Sequence, residues 1–464
     1  MLRVKVNGKA LQMPDPDPNQ SILQWVRTEL GLPGTKEGCA TGDCGACTVV
    51  IAEPDEDGIH YKSVNGCITL AGTLKDRSLI TVEGISQGSE LHPCQQAMIE
   101  NHGTQCGFCT PGFVMSLFAA SHNQLDACEM EQALGGNLCR CTGYTSIRDA
   151  VQVLAENSLP NRVDIWMPEP AQQVSAIAEA SAPSAFISPL TLTEALQAKV
   201  KHPDFPWLAG GTDLVVEMNL QHKRYPGFIW LGLCAELSTI SQDEDYVSFG
   251  AGVSFAELLL WSETHQPVLA QLLERVAATQ VRNQGTLGGN IANASPVGDL
   301  PPALLALDAQ VQLRSATSER WVPLDTFFTG YRKTVMQPDE LLCLVRVPHD
   351  RLFNGLSIDK VSKRREDDIA SMLVAVSVSA MGQVRIGLGG MAATPCRAPA
   401  TETLVARKMM EGESISVQDI LRQLSEDVTP MSDARASADY RLQVSAALIH
   451  RALSKGSIRE VSHA

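Results

Sequence analysis

Lys36-Glu-Gly-Cys-Ala-Thr-Gly-Asp-Cys-Gly-Ala-Cys47 sets Cys39, Cys44 and Cys47 within nine residues, and Cys67 follows after nineteen more. Three thiolates on one tight loop can wrap one side of a metal group, and a fourth can close it from a neighbouring strand. Gly38, Gly42 and Gly45 let the backbone fold close enough for N–H groups to point at the sulfurs. The chain has 13 cysteines, and ten of them precede residue 142. That odd count, in a long chain with no apolar leader after Met1, argues against a disulfide framework and for metal ligation in a reducing compartment.

The C-x₄-C-x₂-C…C spacing is that of plant-type [2Fe–2S] ligation, whereas structural zinc pairs two short C-x₂-C knuckles. A second constellation reads Cys106-Gly-Phe-Cys109-Thr-Pro-Gly and, after twenty-nine residues, Cys139-Arg-Cys141-Thr-Gly-Tyr. On spacing alone these two pairs suit an iron–sulfur cluster or zinc. Both pairs read as lying at helix starts, where backbone N–H dipoles favour an anionic group. Cys94, Cys128, Cys234, Cys343 and Cys396 lack such spacing and read as small buried hydrophobes.

Working outward, residues 1–85 read as a small β-rich unit with strands at 2–6, 48–52 and 79–82 and an amphipathic helix over 21–30. Residues 86–165 carry helical periodicity at 94–101, 112–122, 128–134 and 146–157. A Pro-, Ala- and Ser-rich stretch, 166–183, reads as a linker. Residues 184–360 mix strands and helices with glycine-rich loops, and 361–464 alternate strands with helices. The fold class is therefore multidomain α+β. A net charge of −15 argues against nucleic acid and anionic membrane partners. No apolar run approaches the ~18 residues of a membrane span, and nothing in the sequence directs the protein out of the cytoplasm.

Two glycine-rich loops are candidate phosphate cradles. Trp207, Leu208, Ala209, Gly210, Gly211, Thr212, Asp213 and Leu214 read as a strand entering a Gly-Gly turn. Gly285-Thr-Leu-Gly-Gly-Asn-Ile-Ala-Asn-Ala-Ser-Pro-Val-Gly-Asp299 adds hydroxyl and amide donors. Gly387-Leu-Gly-Gly-Met-Ala392 matches the dinucleotide fingerprint, but Pro395 follows too soon for a helix, so it reads as a strand end and turn.

The three cysteine segments, 36–47, 105–112 and 136–144, resemble the iron–sulfur signatures of the xanthine dehydrogenase family of molybdenum hydroxylases. The resemblance implies a β-grasp plant-type ferredoxin domain, a helical-bundle [2Fe–2S] domain, a vanillyl-alcohol-oxidase-type FAD domain and a C-terminal α+β flavoprotein domain. It assigns the second set, Cys106, Cys109, Cys139 and Cys141, to a [2Fe–2S] cluster as well. It implies that residues 207–214 cradle the FAD pyrophosphate. It also puts Thr286, Asn290, Ser295 and Asp299 on the second FAD loop, with Leu342 and Lys360 lining the site. Tyr331, Arg365 and Asp367 are implied to lie near NAD⁺, and Val276 stands where some members carry an aromatic residue near the flavin.

In single-chain members a molybdopterin domain with the hydroxylation site follows; here the iron–sulfur and FAD parts resemble the small subunit of the two-subunit bacterial members. The resemblance thus implies a molybdopterin-binding large subunit in an (αβ)₂ heterotetramer. It would oxidise hypoxanthine and xanthine to urate in purine metabolism, with no catalytic residue on this chain. Electrons would run from molybdenum to the 106/109/139/141 set, then the 39/44/47/67 set, FAD and NAD⁺. An aldehyde or another N-heterocycle as substrate, and a redox sensor without a catalytic partner, are the alternatives.

Overall fold

The computed structural model describes residues 2–13, 17–55, 58–86, 88–157, 166 and 185–459. Apart from Trp166, the expected linker 166–183 lies outside the described residues. The chain divides into two compact units. One comprises Met1–Pro189, Asp204–Gly232 and Ala277–Gly285; the other comprises Leu190–Pro203, Leu233–Val276 and Thr286–Ala464.

The first unit opens with a five-stranded sheet in the order Lys9–Met13, Leu2–Val6, Ser78–Ile80, Thr48–Asp55, Gly58–Asn65. Asn7 and Gly8 turn the first hairpin with φ of 50° and 81°, which suits a tight primed turn. In Thr48–Asp55 the run Val49, Val50, Ile51 and Ala52 is apolar on both faces because it feeds two cores. Val49 and Ile51 join Ile22, Trp25 and Val26 of the helix Ile22–Thr28. Val50 and Ala52 face Phe113, Leu117 and Phe118 of the helix Thr110–His122. That helix is buried at every position from Gly112 to Ser121, as expected of one apolar all round. The helices Pro93–Glu100, Ala127–Ala133 and Thr145–Glu156 surround it. Further on, Phe186–Ile187, Phe228–Trp230 and Trp207–Leu208 form a parallel three-stranded sheet.

The second unit holds an antiparallel sheet in the order Glu319–Pro323, Gln310–Arg314, Leu341–Pro348, Tyr246–Gly250, Ile240–Gln242. A second sheet, Leu356–Val361, Met372–Val378, Val384–Gly389 and Cys396–Arg397, packs on the helices Pro399–Glu411, Val417–Asp427 and Ala438–Arg459. The fingerprint-like Gly387 lies within Val384–Gly389, and no helix follows until Pro399. Its glycine serves packing, since a Cβ there would sit 1.9 Å from the Pro302 carbonyl oxygen.

Candidate functional site

Strand register builds the first cysteine set. Thr48 pairs with Asn65, so Cys47, just before one strand, is brought beside the turn that carries Cys67 just after the other. The Gly66 N–H donates to the Cys47 carbonyl at 3.1 Å. The Cys39 thiol lies within interaction range of Cys44 and Cys67, and the Cys67 thiol within that of Cys47. The interactions with Cys44 and then Cys67 hold the Cys39 thiol well below its ordinary value, while the pairing with Cys39 pushes Cys44 and Cys67 up. Thiols this crowded stabilise one negative charge and resist a second. The Thr41 N–H points at Cys39 Sγ from 3.4 Å. Gly42 and Gly45 hold φ of 86° and 66°, and a Cβ on Gly38 would reach within 2.8 Å of Cys44 Sγ.

Two asparagines outside the motif complete this loop. Asn65 is buried, donates to the Gly42 carbonyl at 2.7 Å and lies 3.8 Å from Cys47 Sγ. Asn219, on the helix Leu214–Gln221, donates to the carbonyls of Ala40 and Cys67 at 2.8 and 3.0 Å. It therefore ties the loop ligands to the fourth one.

The second set also meets in pairs, Cys109 with Cys139 and Cys106 with Cys141, each joining one segment to the other. Burial pushes the Cys109 thiol up to about 12. Cys109 caps the helix Thr110–His122 as expected. Cys139 and Cys141 do not sit at a helix start; their helix begins at Thr145 because Gly143 and Tyr144 both take positive φ and reverse the chain first. The Tyr144 hydroxyl accepts from the Cys139 N–H at 2.9 Å. Among the described residues no three His, Cys, Asp or Glu converge as a single-ion site needs.

The two sets differ in exposure. Cys47 and Cys67 are buried, whereas Cys106 and Cys141 are exposed. Phe108, Leu138 and Tyr144, each 38–47% exposed, belong to the same segments as Cys106 and Cys141. Of the remaining cysteines, Cys94, Cys234 and Cys343 are buried and Cys396 is half-buried. Cys128 is exposed, contrary to expectation, because it falls on the solvent side of the short helix Ala127–Ala133.

In the first unit, Trp207–Leu208 runs through Gly210 and Gly211 into the helix Leu214–Gln221. Gly210 admits no side chain, since a Cβ would meet the Gln284 carbonyl oxygen at 1.8 Å, and Gly211 has φ 73°. A strand, a bare turn and a helix N-terminus make a cradle for a phosphate.

The other glycine-rich loop lies in the second unit. Thr286 caps the helix Leu287–Ala292 by accepting from the Gly289 N–H. Asp299 accepts from Lys360 Nζ at 2.7 Å, and that ammonium also donates to the Arg275 carbonyl at 2.7 Å. Burial keeps the Asp299 carboxyl above its ordinary value despite Lys360. Asp299 Oδ1 and Asn290 Oδ1 are buried acceptors with no hydrogen-bond partner, so they suit a ligand carrying hydroxyl or N–H donors. Ser295 accepts from the Val297 N–H, and Leu342 and Val276 are buried. Arg275 grips the base of the 362–368 loop, donating to the Lys360 and Arg365 carbonyls and to Ser362 Oγ. Within that loop Arg364 donates to Asp368 Oδ2 and to the Asp367 carbonyl. Asp367 takes φ 45°, and Tyr331 is 62% exposed.

Two cysteine sets and two glycine-rich loops are the arrangement expected of an iron–sulfur flavoprotein. Family models match accordingly. A 2Fe–2S iron–sulfur cluster binding domain matches residues 4–72 and a [2Fe–2S] binding domain matches 81–152. The FAD binding domain in molybdopterin dehydrogenase matches 179–350, and the CO dehydrogenase flavoprotein C-terminal domain matches 359–455. The chain is 34% identical over 476 residues to xanthine dehydrogenase of Drosophila pseudoobscura pseudoobscura, covering 88% of this chain and 35% of that protein. It is 32% identical over 492 residues to xanthine dehydrogenase/oxidase of Mus musculus, covering 92% and 37%. It thus spans about a third of the length of these relatives. A chain of carbon monoxide dehydrogenase from Hydrogenophaga pseudoflava superposes with TM-score 0.54 at 28% identity, over 59% of this chain and 97% of its own. A chain of quinoline 2-oxidoreductase from Pseudomonas putida 86 gives 0.52 at 26%, over 58% and 95%. Domain by domain the chain is thus similar to xanthine dehydrogenases and to carbon monoxide dehydrogenase, with two 2Fe–2S domains followed by an FAD binding domain and a flavoprotein C-terminal domain.

Proposed function

We propose that this chain is the electron-transfer subunit of a cytoplasmic two-subunit xanthine dehydrogenase. It would draw electrons from a molybdopterin-binding large subunit, within an (αβ)₂ heterotetramer, and deliver them to NAD⁺. The observation that carries this reading is the gathering of eight cysteines into two sets of four, of unequal exposure, within one unit. Four thiolates suit a two-iron cluster, where each iron takes two. When bound, the clusters supply one-electron transfer and the flavin couples it to the two-electron acceptor.

The chain's residues set the direction. Exposed Cys106 and Cys141, on segments with exposed Phe108, Leu138 and Tyr144, suit contact with a partner that delivers electrons. Buried Cys47 and Cys67 keep water from the other set. In the first unit, the 207–214 turn is the proposed cradle of the FAD pyrophosphate. In the second unit, Thr286, Asn290, Ser295 and Asp299 form the proposed second FAD loop, with Leu342 and Lys360 as further FAD residues. Among the described residues no helix is long and apolar enough to cross a membrane. Xanthine is favoured over another N-heterocycle because the xanthine dehydrogenases match 88–92% of this chain within one polypeptide. The quinoline 2-oxidoreductase chain, matched over 95% of its own length, accounts for only 58% of this one. Affinity purification with identification of the co-purifying chain tests the reading. A molybdopterin-binding partner and xanthine-dependent NAD⁺ reduction are expected; a chain that purifies alone and fails to oxidise NADH contradicts it.

At the electron exit, Arg364 or Arg365 would meet the NAD⁺ pyrophosphate and Asp367 would favour the cationic oxidised ring. Asp367→Lys sets a like charge beside that ring and should cost NAD⁺ roughly 1–3 kcal/mol. KM for NAD⁺ should rise about 5- to 150-fold while O₂ consumption persists; an unchanged KM assigns the loop to solvent alone.

A further inference from the structure

We propose that Asn137 is the positioning residue that fixes the spacing of the two cysteine sets and tunes the potential of both clusters; this rests on the cluster reading above. Asn137 is 3% exposed and stands two residues before Cys139. Its Nδ2 donates to the Gly45 carbonyl at 3.1 Å and reaches Thr48 Oγ1 at 3.4 Å. Gly45 lies between Cys44 and Cys47, so the amide bonds directly to the first ligand loop. The next residue, Leu138, donates its N–H to the Cys44 carbonyl at 3.0 Å. Two consecutive carbonyls of one ligand loop therefore hold the run leading to a ligand of the other set.

The far side of the same amide is held as firmly. Asn137 Oδ1 accepts from Ser116 Oγ at 2.7 Å and from Gln280 Nε2 at 3.0 Å. Ser116, Thr48 and Gln280 are all buried. Glycines clear the space: a Cβ on Gly45 would lie 2.4 Å from the Gly136 carbonyl oxygen, and one on Gly112 would lie 2.1 Å from that of Gly45. The orientation is forced, because the Gly45 carbonyl can face only a donor and the Ser116 and Gln280 groups need an acceptor. Asn supplies both without charge. A carboxylate of the same shape turns an acceptor toward Gly45 and sets a negative charge beside two anionic clusters, which makes each harder to reduce.

The test is an EPR-monitored redox titration, at alkaline pH, of the purified complex carrying Asn137→Asp, with iron measured on the same samples. Both midpoint potentials should move negative at unchanged iron content. Ser116→Ala, which removes a donor to Oδ1 and keeps the Gly45 bond, should lower thermal stability and leave both potentials in place. If Asn137→Asp does not fold, Asn137→Ala is measured instead; it releases the tie without adding charge and should weaken the magnetic interaction between the reduced clusters. Full iron with unmoved potentials, a shift in one cluster alone, or an undiminished interaction in Asn137→Ala overturns the assignment. Fewer than about four irons in the unsubstituted chain removes the cluster reading itself, so the two failures are told apart.

Discussion

Replacing Cys109 by Ser is expected to abolish one of two iron–sulfur EPR signals and leave the other at full intensity. Cys109 pairs with Cys139 across the second set, and a serine hydroxyl is a poor ligand where iron–sulfur clusters take thiolates. The first set rests on other supports, namely the Thr48–Asn65 register and the carbonyl ties from Asn65 and Asn219. Its ligands belong to loops ending on the sheet, whereas Cys109 begins a helix. Cys94→Ser and Cys128→Ser serve as controls. Cys94 is buried beside Ser121 and Cys128 is exposed, so neither should change either signal. Loss of both signals together with folding in Cys109→Ser would show that the two sets are not independently held.

Lys360→Met should strongly destabilise the second unit and should release flavin. The Lys360 side chain is 1% exposed and that of Asp299 11%. Removing the ammonium strands a buried carboxylate and an unmet Arg275 carbonyl, which costs about 3–5 kcal/mol. The pH dependence has a definite sign. Asp299 already has its folded-state pKa above the ordinary 3.8, and loss of Lys360 raises it further. The folded variant therefore favours the protonated acid, so its stability is greatest below 3.8 and declines as pH rises through the folded-state value. The double substitution Lys360→Met with Asp299→Asn should remove that slope. Thermal denaturation across pH, with the flavin-to-protein ratio, checks this; a pH-independent deficit would contradict it.

The cysteine sets were legible because ligation constrains residues close in sequence. Three thiols and three glycines in one loop leave a local record. Cys67 was legible by spacing, but the register that seats it, Thr48 opposite Asn65, was not. Gly58–Asn65 does alternate over Ile59, His60, Tyr61 and Lys62 as a half-buried strand should, but the run is only four residues before Ser63 breaks it. Lys9–Met13 escaped because Ala10 and Leu11 stand side by side and break the alternation. The asparagines that secure the loops left no trace at all, since Asn219 reaches a carbonyl 179 residues away and any polar residue could stand there in sequence. Arg275 is likewise ordinary until the fold brings 362–368 within its reach. Cys128 was misread because isolated cysteines are usually buried, and only the helix face decides.

The account stands on eight cysteines holding two [2Fe–2S] clusters, and metal analysis of the purified chain tests it most directly. Iron, acid-labile sulfide and zinc should be quantified per polypeptide in one anaerobic preparation. About four irons, about four sulfides and negligible zinc are predicted. Zinc in place of half the iron, with the sulfide halved alongside it, would contradict the account.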